Sequence, residues 1–448
     1  MGIRLTNTLT GKKEEFHPMH PPEVSLYACG ITVYGETHVG HARGAVVFDV
    51  LRRLLESRGL RMTHVRNITD VDDKLIERAR QEPGPGDLKA KVGEVARRYT
   101  EQFQADFDAL GLLKPTREPK ATEFIPKMTE FIERLVRRGM AYETADGVYF
   151  SVRKDPEYGR LSHQKPDQMI KNHRAETGQG KKDALDFALW KKAKPDEPSW
   201  PSPWGEGRPG WHIECSTMST DILGDTFDIH GGGQDLIFPH HENELAQALG
   251  AGKPFARVWL HNGLLTINGQ KMAKSLGNFV TVADVLAKVP ADVLRLFYLS
   301  AHYRSPIDFT WERMEEAKHA YERLATFLAH CEAASDGTAS GNPPDLDRRF
   351  FEDLEDDLNT PKALAVLFEA VPHPGRQMGE TVRRLGRVLG LFSSGGAVDS
   401  GAEKLAKERD AARARKDFTT SDRIRQQLVE MGYVVEDTAG GTVIRKKL

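Results

Sequence analysis

The sequence predicts an α/β protein whose catalytic core is a parallel sheet interrupted by an insertion. Three observations predict it. The apolar run Val24–Ala28, a helical pattern through Ala45–Ser57 and a second apolar run at Arg61–Ile68 form a β-α-β succession. Strand-like runs resume far downstream, at Asp225–His230 and Arg257–Asn262. Between them, from about 115 to 200, the character of the chain changes and Asp155–Lys194 is polar and loop-rich, as in a segment inserted between two halves of one domain.

Each element has its own signal. Val47, Val50, Leu51, Leu54 and Leu55 give the first helix its apolar face, and residues 75–113 continue as charged helix. Phe124–Arg138 is amphipathic and helical, Tyr142–Val152 is a hairpin, and Asp155–Lys194 is loop-rich. Trp211–Cys215 reads as the strand on which the sheet resumes, and a helix starts near His240. Residues 281–330 are mostly helical, and Ala333–Pro344 and Ser393–Gly401 have linker composition. Between the linkers, Thr360 is read as an N-cap with Pro361 at the first helical position. A long basic helix, Ala402–Gln427, precedes β-like ends at Tyr433–Val435 and Thr442–Arg445.

Composition narrows the function classes. The 448 residues suffice for about three domains at roughly 150 residues each. Charged residues at 29% and hydrophobic residues at 39% describe a globular enzyme. A net charge of -2 means that any nucleic-acid contact relies on local basic patches. No run approaches the roughly 20 apolar residues of a membrane span, and the cytoplasm is the expected location. Three cysteines, Cys29, Cys215 and Cys331, do not make a disulfide framework. Cys331 has no ligand-like neighbours and reads as a structural thiol.

Two short signatures point to nucleotide chemistry. In His38-Val39-Gly40-His41, the two imidazoles share one face if a helix starts there, and that helix N-terminus attracts phosphate. Gly40 permits close backbone approach. In Lys271-Met272-Ala273-Lys274-Ser275, Lys271 and Lys274 are spaced to reach a pyrophosphate from a loop. Reaction at the α-phosphate of ATP builds charge on oxygen, where fixed cations and donors act best. Either signature alone also fits an ordinary solvated surface.

Cys29, Cys215, His240 and Glu244 carry the donor types that zinc prefers. His240 and Glu244 are four apart, hence on one helical face, while Cys29 and Cys215 are read as ending two strands of the sheet. His241 and Glu242 are lower-ranked competitors. The residues alone leave open that both cysteines are small buried hydrophobes and that His240 and Glu244 cap a helix.

Taken in order, these blocks resemble the cysteinyl family of class I aminoacyl-tRNA synthetases. His38–His41 is similar to the family's H-I-G-H element and Lys271–Ser275 to its K-M-S-K-S element. Cys29–Tyr34, Arg66–Asp70, Gly210–Cys215, Asp228–Gly233 and Phe238–Glu244 are further family-like blocks, and the similarity runs from about residue 20 to the tail. The resemblance implies a Rossmann-like catalytic domain (1–114 and 201–264) split by a connective insertion (115–200). It implies a stem-contact region with the lysine loop (265–330), a helical bundle (331–395) and a small mixed α/β anticodon-binding domain (396–448).

The implied activity is ligation of L-cysteine to tRNA(Cys) through cysteinyl-adenylate, with ATP and Mg2+ as substrate, in a monomer. Its catalytic residues would be His38, His41, Lys271 and Lys274. One Zn2+ on Cys29, Cys215, His240 and Glu244 would select the thiol over the serine hydroxyl. Gly40, Gly232, Asp235 and Lys274 would contact ATP or the activated amino acid, and Thr69, Trp211 and His230 would surround bound cysteine. The residues alone leave open that Gly231–Gly233 is an ordinary turn and not a place of close backbone approach to a ligand, that Trp211 is core, and that the charged tail is a solvated helix. Ala273 departs from the usual serine, and Gly441–Arg445 lacks a tryptophan common in the family, which puts loop contacts and anticodon stacking in question. Ligation of cysteine to a small amine is the nearest alternative, and the basic tail beyond residue 400 favours tRNA.

Overall fold

The expected β-α-β opening is present in a computed structural model of the chain, which describes residues 2–172, 180–273, 276–333, 345–392, 400–438 and 441–446. An N-terminal hairpin, β1 (Arg4–Asn7) and β2 (Lys12–Glu15), leads into β3 (Glu23–Thr32), α1 (Val39–Ser57) and β4 (Arg61–Thr69). The helix starts at Val39, a turn and a half before the apolar pattern begins, because His38 caps it through a side-chain bond from the His41 amide. Helices α2 (Asp73–Gln81) and α3 (Leu88–Ala109) follow.

The insertion comprises α4 (Ile125–Arg137), β5 (Ala141–Thr144), β6 (Gly147–Phe150), α5 (Pro166–Asn172), β7 (Phe187–Lys192) and β8 (Gly207–Pro209), with an antiparallel sheet ordered β5-β6-β7-β8. Strand β7 lies inside the stretch expected to be loop. Its Phe187, Leu189 and Trp190 are buried against the core beneath the central sheet, a burial that flanking polar residues mask.

The expectation of a strand at Trp211–Cys215 is wrong. These residues open α6 (Trp211–Leu223), in which His212 through Thr220 are all buried. A helix covered on every side shows no amphipathic stripe, and its first residues alternate as a strand would. After α6 come β9 (Thr226–Gly233), α7 (Glu242–Gly250) and β10 (Phe255–Asn262). The central sheet is parallel throughout, in the order β10-β9-β3-β4.

The chain then forms β11 (Leu265–Ile267), β12 (Gln270–Lys271), α8 (Val282–Leu286), α9 (Ala291–Leu299), β13 (Ile307–Phe309) and α10 (Trp311–Ala333). Strand β13 interrupts the helical stretch to pair in parallel with β11. Helices α11 (Leu346–Glu355) and α12 (Thr360–Glu369) pack on each other and on α13 (Arg376–Val388), which packs on α1 and α10, with Cys331 of α10 buried against α13 as a structural thiol. The N-cap of α12 is Asn359, not Thr360: the Asn359 side chain accepts from the Lys362 amide, while the Thr360 hydroxyl donates to the Leu299 carbonyl. Both expected linkers lie almost wholly outside the described residues.

The long basic tail helix is two helices, α14 (Ser400–Ala414) and α15 (Phe418–Glu430). Lys416 turns into the left-handed region (φ 61°) and Asp417 caps α15 by accepting from the Thr420 amide, so charge periodicity continues where the backbone breaks. The hairpin of β14 (Tyr433–Thr438) and β15 (Gly441–Lys446) closes a small core around Ile424, Leu428 and Tyr433. Among the described residues no helix is long and apolar enough to cross a membrane.

Candidate functional site

Four elements bring the metal candidates together at the C-terminal edge of the parallel sheet. Cys29 sits where β3 slips register against β4, and Gly30 is required there because a Cβ would collide with the Asn67 carbonyl. Cys215 comes from the second turn of α6, not from a strand end. His240 belongs to the turn before α7 and Glu244 to its first turn.

The sulfurs of Cys29 and Cys215 are 3.6 Å apart, Cys29 Sγ is 3.5 Å from Glu244 Oε1, and His240 Nε2 is 3.0 Å from the same oxygen. Zinc–sulfur bonds of about 2.3 Å and zinc–nitrogen or –oxygen bonds of about 2.0 Å put tetrahedral donors roughly 3.3–3.8 Å apart. The donor set therefore fits a tetrahedral soft divalent ion with little rearrangement.

Two of the donors carry negative charge, and the protons on the other two are those a bound ion would displace. Burial would raise the Cys215 thiol, but the bond from Cys29 and the neighbouring His240 outweigh it and bring it to about 6. Burial would likewise raise Glu244, yet His230 and His240 hold its carboxyl well below the usual range. Burial opposes the charge on His240 too, and Glu244 and Cys215 overcome it, lifting the imidazole to about 10. Cys29 is pushed up by burial and by Cys215, so its proton bridges the two sulfurs.

The other expected residues of the amino-acid pocket gather round this cluster. His230 Nε2 lies 2.8 Å from Glu244 Oε2, with its ring stacked on Trp259. Trp211 is not core: 38% exposed, it stacks on His240 at 4.0 Å and shields it from solvent. Thr69, at the end of β4, accepts from Asn67 and donates to Glu214 Oε2 at 2.8 Å. Glu214 is buried, and that burial together with Cys215 raises its carboxyl well above the ordinary range. Sequence reasoning missed Glu214, whose only signal was its place in the Gly210–Cys215 block. His241 Nε2 approaches Cys29 Sγ at 3.2 Å, whereas Glu242 accepts from the backbone amides of Gly159 and Ser162 in the insertion and is not a ligand.

The segments that carry the two nucleotide signatures meet at the start of α1. The rings of His38 and His41 stack at 3.4 Å, and burial, then His38 and Lys74, keep His41 neutral. Lys74, near the start of α2 and 5.4 Å over the Tyr34 ring, is a cation on this side that sequence reasoning did not single out. Backbone bonds from Val39 to Val280 and from Val282 to Thr37 stitch the start of α1 to the segment after the lysine loop. Met272 packs close to Gly40. Asn278 brackets the loop by accepting from the Ala273 amide and donating to the Lys271 carbonyl, so Ala273 is held through its backbone. Lys271 is exposed on β12, while Lys274 and Ser275 lie outside the described residues.

Arg43, one turn into α1, is buried and donates to the carbonyls of Gly263 and Leu264, where the chain leaves β10 for the lysine-loop hairpin, and to those of Tyr303 and Ser305, in the turn between α9 and β13. Burial lowers it to about 10, so it stays charged at neutral pH. The glycine run serves internal packing. A Cβ on Gly231 would strike Phe48 of α1, and one on Gly232 would crowd His241 and Leu236. Asp235 lines a cleft of about 470 Å³ with Ser162, Gln164, Ile237 and Phe238, between the insertion and the metal segment.

A family model described as the class I (C) tRNA synthetase catalytic domain matches residues 15–319. A DALR domain matches 349–373 and a cysteinyl-tRNA ligase anticodon binding domain matches 396–445. A cysteine–tRNA ligase of Alkalilimnicola ehrlichii is 46% identical, over 99% of this chain and 100% of that protein. The chain belongs to the cysteine–tRNA ligase family. Another member of that family, from Geobacter sulfurreducens, is also 46% identical over 100% of both chains.

Cysteine–tRNA ligases are class I synthetases, and the fold agrees across large sequence distances. A Mycobacterium tuberculosis methionyl-tRNA synthetase in complex with methionyl-adenylate superposes with a TM-score of 0.61 at 15% identity, covering 83% of this chain and 90% of its own. A LeuRS–tRNA complex from Agrobacterium radiobacter gives 0.61 at 10% identity, covering 84% of each chain. The Rossmann-like sheet split by an insertion is thus the class I fold, and the chain is an ATP-dependent ligase of this family.

Proposed function

We propose that the protein activates L-cysteine with ATP to give cysteinyl-adenylate and transfers the cysteinyl group to the 3′ end of tRNA(Cys). The observation that carries this reading is the meeting, at one edge of the parallel sheet, of a four-donor metal cluster with the His38–His41 helix start.

In the first step a carboxylate oxygen of cysteine attacks the α-phosphorus, and the bond to the bridging oxygen breaks to release pyrophosphate. His41, neutral and stacked on His38, donates to the charged phosphate oxygens together with the N-terminus of α1. Lys271 and Lys274 take the charge of the departing pyrophosphate. In the second step a terminal ribose hydroxyl attacks the cysteinyl carbonyl and AMP leaves. A Zn2+ ion held by Cys29, Cys215, His240 and Glu244 would supply a soft Lewis acid that accepts thiolate sulfur far more readily than a hydroxyl. Thr69 and His230 line the same pocket, Trp211 excludes water from it, and Asp235 and Gly232 border the space assigned to nucleotide and amino acid.

The division of labour follows the chain order. Residues 1–114 and 201–264 form the catalytic domain, 115–200 the insertion, and 265–330 the stem-contact region. Residues 331–395 form the bundle, and 396–448 the anticodon-binding domain. A C-terminal unit with its own core argues for tRNA over a small amine as acceptor. The enzyme acts as a cytoplasmic monomer.

The test is aminoacylation of a tRNA pool with labelled cysteine and, in parallel, serine. Cysteine alone should become tRNA-linked, with one zinc per chain by elemental analysis. Cysteine-dependent pyrophosphate exchange without tRNA labelling would favour the small-amine alternative, and equal labelling by serine would refute thiol selection.

A further inference from the structure

We propose that Cys29, His230, His241 and Glu244 form a second four-donor seat for a single soft or borderline divalent ion, overlapping the first and used when Cys215 or His240 is unavailable. This inference rests on the metal reading above. One donor atom from each of these four residues lies within 4.8 Å of every other, as in the first set. Cys29 Sγ lies 3.2 Å from His241 Nε2 and 3.5 Å from Glu244 Oε1, His241 Nε2 lies 3.9 Å from that same oxygen, and His230 Nε2 reaches the other carboxylate oxygen, Oε2, at 2.8 Å.

The far side of the His241 ring is held as a ligand's ring is, while His230 Nδ1 has no hydrogen-bond partner among the described residues. A ligating imidazole normally gives its other ring nitrogen to a partner that fixes its orientation. His240 does so through Nδ1, 2.9 Å from His212 Nδ1. His241 does so as well: its Nδ1 is 2.7 Å from His261 Nε2, and His261 Nδ1 is 2.7 Å from the Thr8 hydroxyl. Buried rings that merely packed against Trp259 would not need a nitrogen turned onto a sulfur and a second held by a relay of this kind.

The two seats share Cys29 and Glu244, so they serve one ion at a time. They differ in softness. The first offers two sulfurs, and the second offers one sulfur and two imidazoles, which suits Co2+ and Zn2+ better than Cd2+.

Cobalt binding with elemental analysis separates the possibilities. The full-length protein should take up one Co2+ with the near-ultraviolet absorption of two thiolates. Cys215→Ser should still take up one, at about half that absorption, with Cd2+ affinity falling more than Co2+ affinity. His241→Ala alone should bind like the parent. Added to Cys215→Ser or to His240→Ala, it should weaken binding by about 100-fold. His240→Gln carries the same comparison if Cys215→Ser fails to fold by circular dichroism. Folded Cys215→Ser and His240→Gln proteins that hold no Co2+ would overturn the second seat. So would two ions per parent chain, or no further loss on adding His241→Ala. A parent protein without any ion would instead overturn the metal reading itself.

Discussion

The proposed amino-acid end and the proposed nucleotide end of the site are built in opposite ways. At the amino-acid end Cys215, His240 and Glu244 are buried, and four separate elements fix donor positions to the tolerance of a coordination bond. At the proposed nucleotide end Lys74 and Lys271 are exposed, and the lysine-loop hairpin is tied down by Asn278 and Arg43. The contrast follows from the range of the forces. Choosing sulfur over oxygen depends on contact geometry and demands a rigid, dry pocket. Stabilising a polyphosphate depends on charge, which acts over longer distances and tolerates a loop that must admit and release a large anion.

The contrast can be broken or sharpened by experiment. The largest effect should come from His41→Asn, which should lower the rate of cysteine-dependent pyrophosphate exchange by about 10²–10³-fold while leaving metal content unchanged. Loss of metal in that variant would show that the two ends are not separable. Removal of the ion by a chelator should abolish cysteine activation and lower the melting temperature, with both restored by added Zn2+. A melting temperature indifferent to the ion would mean that the buried cluster is stable without it.

Arg43→Met should reduce the activation kcat by about tenfold with the KM for cysteine unaltered, because the loss displaces the lysine hairpin and leaves the metal pocket intact. Arg43→Lys should recover little, since a point charge cannot reach the same carbonyls. A raised KM for cysteine would place its influence at the wrong end. The smallest effect concerns pH. Burial and then His38 hold the His41 imidazole well below the ordinary histidine range, so His41 is neutral at neutral pH. The kcat/KM for ATP should therefore show no decline as pH rises from about 6 to 8. A decline that follows a group near 6.5 and vanishes in His41→Asn would mean that an imidazolium is at work.

Much of this site is legible in the amino-acid sequence. The donor types at 29, 215, 240 and 244, the paired histidines and lysines, and the β-α-β opening are fixed by residue identity and local spacing, which act over a few residues. Folding decided what local spacing cannot express. Trp211–Cys215 alternates like a strand and becomes a helix only because sheet and insertion bury all its faces. The tail keeps its helical charge pattern through a break that Lys416 and Asp417 make. Glu214, Arg43 and the approach of His241 to Cys29 draw their roles from partners more than a hundred residues away. The sequence by itself selected the chemistry, because donor type is a property of a single side chain. Only the order of strands in the sheet and the packing of helices on it decided which donors stand within bonding distance, because convergence is a property of the whole chain.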